Sequence, residues 1–165
     1  DQTIERLKSD LQLRTQEHEI KLSRLHEKRA AVIAELNSTL AEAMWEAESL
    51  FAMMEWAGEP SKSEKYGKAM DKLEEFFRFF DKNRIYLPTE LCDSLDQLVQ
   101  DVRQHVIKFG SYVRLATREP LLGDTSKQMN EAWDNGWKAL REQVPEARKQ
   151  LEEEFRRLLA PSTGA

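Results

Sequence analysis

The chain has 165 residues, with 25 Lys and Arg against 30 Asp and Glu, giving a formal net charge of −5 and a pI near 5.4. Charged residues make up 33% of it, mean hydropathy is −0.69, and only six Gly and five Pro interrupt it, which points to one soluble domain built from a few long helices. The acidic balance excludes nucleic acid as the main partner, the lone Cys92 excludes an internal disulfide and fits a reducing compartment, and no run approaches the roughly 18–20 apolar residues of a membrane span.

Helix formers dominate from Thr3 to about Trp56, without Pro or Gly. Leu11, Leu22, Ile33 and Met44 recur every eleven residues, as do Leu25, Leu36 and Ala47. Eleven residues in three turns is close to an undistorted helix, so the stripe runs nearly straight. A strict heptad from Ile4, Leu7 and Leu11 fails, because it lands on Arg14, His18 and Lys21. The spacing predicts one helix of about 54 residues, roughly 80 Å long. A compact chain of this size has a radius of gyration of about 15 Å, so one end must project.

Residues 1–29 are thinly apolar and rich in both charges, whereas 30–56 are rich in Ala, Met, Trp, Leu and Phe. The first stretch reads as a charged coiled-coil stalk and residues 30–160 as a helical bundle. No basic stretch leads into an apolar core at the N-terminus, so no signal peptide is expected. The chain opens on Asp1 instead of Met, which points to a start inside a longer protein. A cytoplasmic location is expected, with a tether to the inner membrane if an anchor lies upstream.

Gly58-Glu59-Pro60 should end the first helix, and Ser61 with Glu64 forms a capping box for the second, which runs to about Lys82. Its Tyr66, Met70, Leu73, Phe76, Phe77, Phe79 and Phe80 occupy a wide face. A turn at Asp81–Arg84 and an extended Ile85–Pro88 lead to Thr89, the expected N-cap of a third helix with a continuous apolar stripe to about Thr117. The last helix should start near Thr125 and reach Leu159. Its stripe continues through Pro145, so one kinked helix is expected, with the bond to the Arg141 carbonyl deleted. Short connections favour antiparallel neighbours. The architecture expected is all-α, a four-helix bundle whose long N-terminal helix projects as a coiled-coil stalk, with segment 146–159 beside part of that stalk and a frayed tail at 161–165.

The stretch Leu22–Leu36, containing Leu25-His26-Glu27-Lys28-Arg29-Ala30, together with Asn83-Arg84-Ile85-Tyr86-Leu87, resembles a large, loosely defined group of bacterial helical proteins. The resemblance covers about two thirds of the chain and supplies no activity or catalytic residues. It implies a bacterial or phage-related source and, in many members, a longer N-terminal region that can include a membrane helix. Asn37 departs from the Tyr common in that group.

The residue types that carry chemistry stand mostly in ordinary settings. A di-iron bundle needs Glu-x-x-His pairs, and Thr15, Ser23 and Val102 stand where those Glu would be. Asp101 and His105 share a helical face, but two ligands make a weak metal site. His26 could join a polar cluster between stalk and turn, or lie on the surface. Cys92 sits in a first helical turn without a local His, so a structural role is expected. Lys21, Arg24 and Lys28 could meet phosphate or anionic lipid, yet Glu17, Glu27 and Glu35 interleave with them as in a solvated coil. Trp45, Trp56, Trp133 and Trp137 read as core, with the last pair able to rim a pocket opened by Gly136. No Gly-rich phosphate loop, nucleophile elbow or zinc spacing occurs. No cofactor or metal is expected.

The function expected is a non-enzymatic interaction or scaffold module. Its stalk would bind a partner helix or a second copy through Leu7, Leu11, His18, Leu22, Leu25 and His26. Two alternatives stand beside it: a regulatory or effector component of a bacterial membrane-linked or antiphage system, and a metalloprotein or enzyme.

Overall fold

The computed structural model describes residues 1–53 and 56–161. Its helices are α1 Gln2–Leu50, α2 Lys62–Asn83, α3 Thr89–Arg118, α4 Asp124–Lys138 and α5 Val144–Leu159. A turn of 3₁₀ helix, Arg84–Tyr86, joins α2 to α3, and a π-helical segment, Ala139–Gln143, carries α4 into α5 without a break. With α4 and α5 as one bent rod, the chain is an all-α four-helix bundle with a long N-terminal helix. Among the described residues there is no strand, and no helix is long and apolar enough to cross a membrane.

The bundle closes on the face of α1 that carries Ile33, Leu36, Leu40, Ala43, Ala47 and Leu50, all buried. Their three- and four-residue spacing keeps them on one side of the helix. Against it α2 contributes Tyr66, Leu73, Phe76 and Phe80, α3 contributes Leu91, Leu95, Val102 and Phe109, and α5 contributes Leu151 and Phe155. Helix ends are satisfied by side chains from the sequence nearby. The Ser61 hydroxyl accepts from the Glu64 amide at 3.2 Å, and Lys62 Nζ donates to the Leu50 and Ala52 carbonyls at 2.8 Å each. Those two bonds occupy carbonyls that the end of α1 leaves without helical partners.

The structure corrects several expectations. α1 ends at Leu50, six residues before Trp56, because the chain turns so that Phe51 can be buried 5.1 Å from the Phe109 ring. Pro88, in extended conformation, takes the N-cap position of α3, and Thr89 is its first helical residue. Trp45 and Trp56 are 63% and 68% exposed, and only Trp133 and Trp137 pack on the core, stacked at 6.1 Å. The expected pocket at Gly136 is filled, since a Cβ there would fall within the Phe51 ring.

Segment 146–159 does not lie beside the stalk. Gly136 is level with Phe51 at the end of α1, so the surplus length of the last helix extends past that end, alongside α3. There the Tyr112 hydroxyl donates to Gln128 Oε1 at 3.3 Å, with Val113 and Ala132 buried. At the opposite end Phe155 and Leu159 line a groove together with Ile33, Ala34 and Asn37, beyond the exposed arm. The bend at Pro145 takes the form of the π segment. Val144 donates to Ala139, five residues back, and the wider turn makes room for a ring that would otherwise meet the Arg141 carbonyl. Apart from Pro161, the expected frayed tail lies outside the described residues.

Candidate functional site

Every residue from Asp1 to Lys28 is exposed. This arm is helical throughout, capped where Asp1 Oδ1 accepts from the Thr3 amide at 3.2 Å. All six expected partner-binding residues, Leu7, Leu11, His18, Leu22, Leu25 and His26, are exposed. Leu7 is 60% exposed and even Leu25, nearest the bundle, is 43% exposed. Ile4 belongs with them, while Leu13 and Ile20 are exposed on the opposite face. At about 100° per residue, Ile4, Leu7, Leu11, His18, Leu22 and Leu25 form one stripe that continues into the buried Ile33, Leu36 and Leu40. His26 lies on its shoulder. The exposed stripe is thus the core-facing seam of α1, prolonged beyond the point where the chain's own helices cover it.

That point is marked by a polar junction at which the two phrases of the resemblance meet. Arg29 Nε donates to the Tyr86 carbonyl at 2.9 Å, and Lys28 Nζ lies 5.6 Å from the centre of the Tyr86 ring. His26 takes no part in it. Arg84 fastens the turn from within, with Nη1 and Nη2 donating to Asp96 at 2.8 and 2.5 Å and Nε to Asp81 at 3.1 Å. Its guanidinium also lies 4.2 Å from the centre of the Phe80 ring. Hydrogen bonding to Asp96 holds Arg84 still further above its ordinary range. A bidentate pair of this kind fixes geometry as well as charge, so the turn is held to α2 and α3 while Arg29 ties it to α1.

Cys92 is buried beneath this turn, its Sγ 3.8 Å from the Arg84 carbonyl. Burial pushes its thiol up, against the opposing charge of Arg84. The neutral thiol is therefore favoured in the folded chain. Stability falls as pH rises through the unfolded thiol's value of about 8.5 toward the folded one. Cys92 in the folded protein is expected to react with a disulfide reagent at pH 8 at least a hundredfold more slowly than in denaturant. Equal rates would mean that the first turn of α3 opens freely.

A groove of about 410 Å³ lies between α3 and the π segment, with Leu98, Val102, Leu140 and Val144 as its apolar floor and Asp101 and His105 at its rim. Asp101 Oδ1 accepts from Gln97 Nε2 at 2.9 Å. Among the described residues no three His, Cys, Asp or Glu side chains come together.

Comparison with family models, curated proteins and solved structures returns no match to this chain.

Proposed function

We propose that the chain is a non-enzymatic helical interaction module that docks another helix along its exposed N-terminal arm. The single observation that carries this reading is the continuity of the α1 seam. The spacing that buries Ile33, Leu36 and Leu40 in the core persists through Leu25, Leu22, Leu11 and Leu7, all of which are exposed among the described residues. Scattered exposed leucines need no explanation, but a stripe in register with a packed seam is the signature of a helix with an absent neighbour. The Arg29–Tyr86 contact closes the bundle at the base of that surface, so docking above it leaves the core undisturbed.

The reading is tested by replacing Leu7, Leu11 and Leu22 together with aspartate. The wild-type chain is expected to associate, with itself or with another protein recovered from its host, and the triple variant to lose that association. Because all three side chains are exposed, the free energy of urea unfolding of the bundle should change by no more than about 0.5 kcal/mol per site. Unchanged association by the triple variant would overturn the reading.

A further inference from the structure

The helices of the bundle are tied to one another unequally. α2 is joined to α1 by Lys62 and by Lys72 Nζ, which donates to Glu42 Oε2 at 3.3 Å. Arg84 joins the turn to α3 through Asp96, and Tyr112 joins α3 to α4 through Gln128. Among the described residues no side-chain hydrogen bond or ion pair runs from α5 to another element. The pair that α5 does hold, Arg156 with Glu152 at 3.8 Å, lies within the helix.

Apolar packing on α5 is equally thin. Of its sixteen residues only Val144, Leu151 and Phe155 are buried, and Val144 closes the π segment, so two buried side chains hold the rest. Ala147 and Leu158 add partial cover. Grooves open along both of its seams, one of about 410 Å³ toward α3 beside Val144 and Ala147, and two of about 200 and 280 Å³ toward α1 beside Glu48 and Ile33. A groove of about 520 Å³ also lies between α2 and α3, but the Arg84–Asp96 pair fastens the end of that seam. Few buried contacts and open flanks mark a segment that opens before the whole molecule unfolds. The pivot is marked as well. Pro145 has no N–H to give, so the junction of the π segment with α5 lacks one backbone bond, and a π turn is one of the few places where a long helix bends sharply.

We propose that α5 is a strap, hinged at Ala139–Gln143, which swings off the bundle as one unit and uncovers the apolar seam between α1 and α3. Ile33 lies toward one end of that seam, beside Phe155, and Leu98 and Val102 toward the other, beside Val144. Opening breaks none of the ties among α1, α2 and α3, so the open state keeps a folded body.

The test is hydrogen exchange of the full chain, followed peptide by peptide by mass spectrometry. Residues 147–159 are expected to exchange about a hundredfold faster than residues 66–80 of α2, and to depend little on urea below the unfolding transition. The step in rate should fall at the hinge, with residues 129–138 remaining slow. Phe76→Leu supplies the second measurement, because it weakens a fully buried contact of α2 that persists while the strap is open. It should speed exchange of 66–80 about tenfold and leave 147–159 unchanged. Equal slow rates in 66–80 and 147–159, or acceleration of both by Phe76→Leu, would show that α5 opens only with the whole bundle and overturn the strap. Fast exchange in 129–138, or a rate that climbs steadily from Val144 to Leu159 as in a fraying helix end, overturns the hinge.

Discussion

Gly110→Ala is expected to destabilise the bundle by about 2 kcal/mol, although alanine is the better helix former by about 1 kcal/mol. The reason is the Tyr66 ring, which packs so close to Gly110 that an added Cβ would overlap its Cδ2, Cε2 and Cγ atoms. Tyr66 is buried, and the Arg114 guanidinium lies 4.6 Å from its ring centre on the same side of the bundle, so the ring has little freedom to move aside. Gly67→Ala provides the control one residue from Tyr66. Its Cβ would meet nothing within 4 Å, so the same substitution should stabilise α2 by about 0.5–1 kcal/mol. Urea unfolding of the two variants should move the midpoint in opposite directions. A neutral Gly110→Ala would show that Tyr66 swings outward at little cost and that α2 and α3 are less tightly packed than they stand here.

Phe51→Ala should cost about 3–5 kcal/mol, since it removes a fully buried ring and leaves a void between Phe109 and Gly136. Its coupling to Gly136 is the more diagnostic measurement. Gly136→Ala alone should cost about 2 kcal/mol by forcing the Phe51 ring out of its notch. In the Phe51→Ala background the added methyl enters the void, and the helix-propensity gain of about 1 kcal/mol remains. The second substitution should then be neutral or stabilising, a non-additivity of about 2–3 kcal/mol in the double-mutant cycle. Additive effects would mean that the ring and the glycine do not share the end of the bundle.

Much of the fold was legible because local and global preferences agree. Ser61 and Glu64 announced a helix start, Pro145 announced a bend, and the seam of α1 could be traced by spacing alone. The errors came where a tertiary contact overrides local preference. No breaker stands between Leu50 and Trp56, and α1 stops because Phe51 is drawn to Phe109 and Gly136, two residues distant in sequence that no local rule identifies. Trp45 departs from expectation for a different reason. It lies opposite Leu36 and Leu40 on the helix, so its apolar character pointed inward while its angular position pointed out. The position of segment 146–159 depended on which residue of the last helix meets the end of α1, and Gly136 fixes that level through a notch visible only in three dimensions. The exposed arm was readable from composition. The Arg29–Tyr86 contact that ends it was visible only as two separate phrases, since the pattern gives no sign that an Arg side chain on α1 would donate to a carbonyl 57 residues away.

α1 runs from Gln2 to Leu50 without Gly, Pro or a π turn, so arm and core share one uninterrupted backbone. A helix of that kind bends only gently. Anything that pushes sideways on the arm near Leu7 therefore works a lever whose fulcrum is the Arg29–Tyr86 contact and whose short end is buried among α2, α3 and α5. The load is divided between one hydrogen bond at the fulcrum and the packed residues from Ile33 to Leu50. Force on the tip is borne as torque by the interior, and no loop stands between them to absorb it.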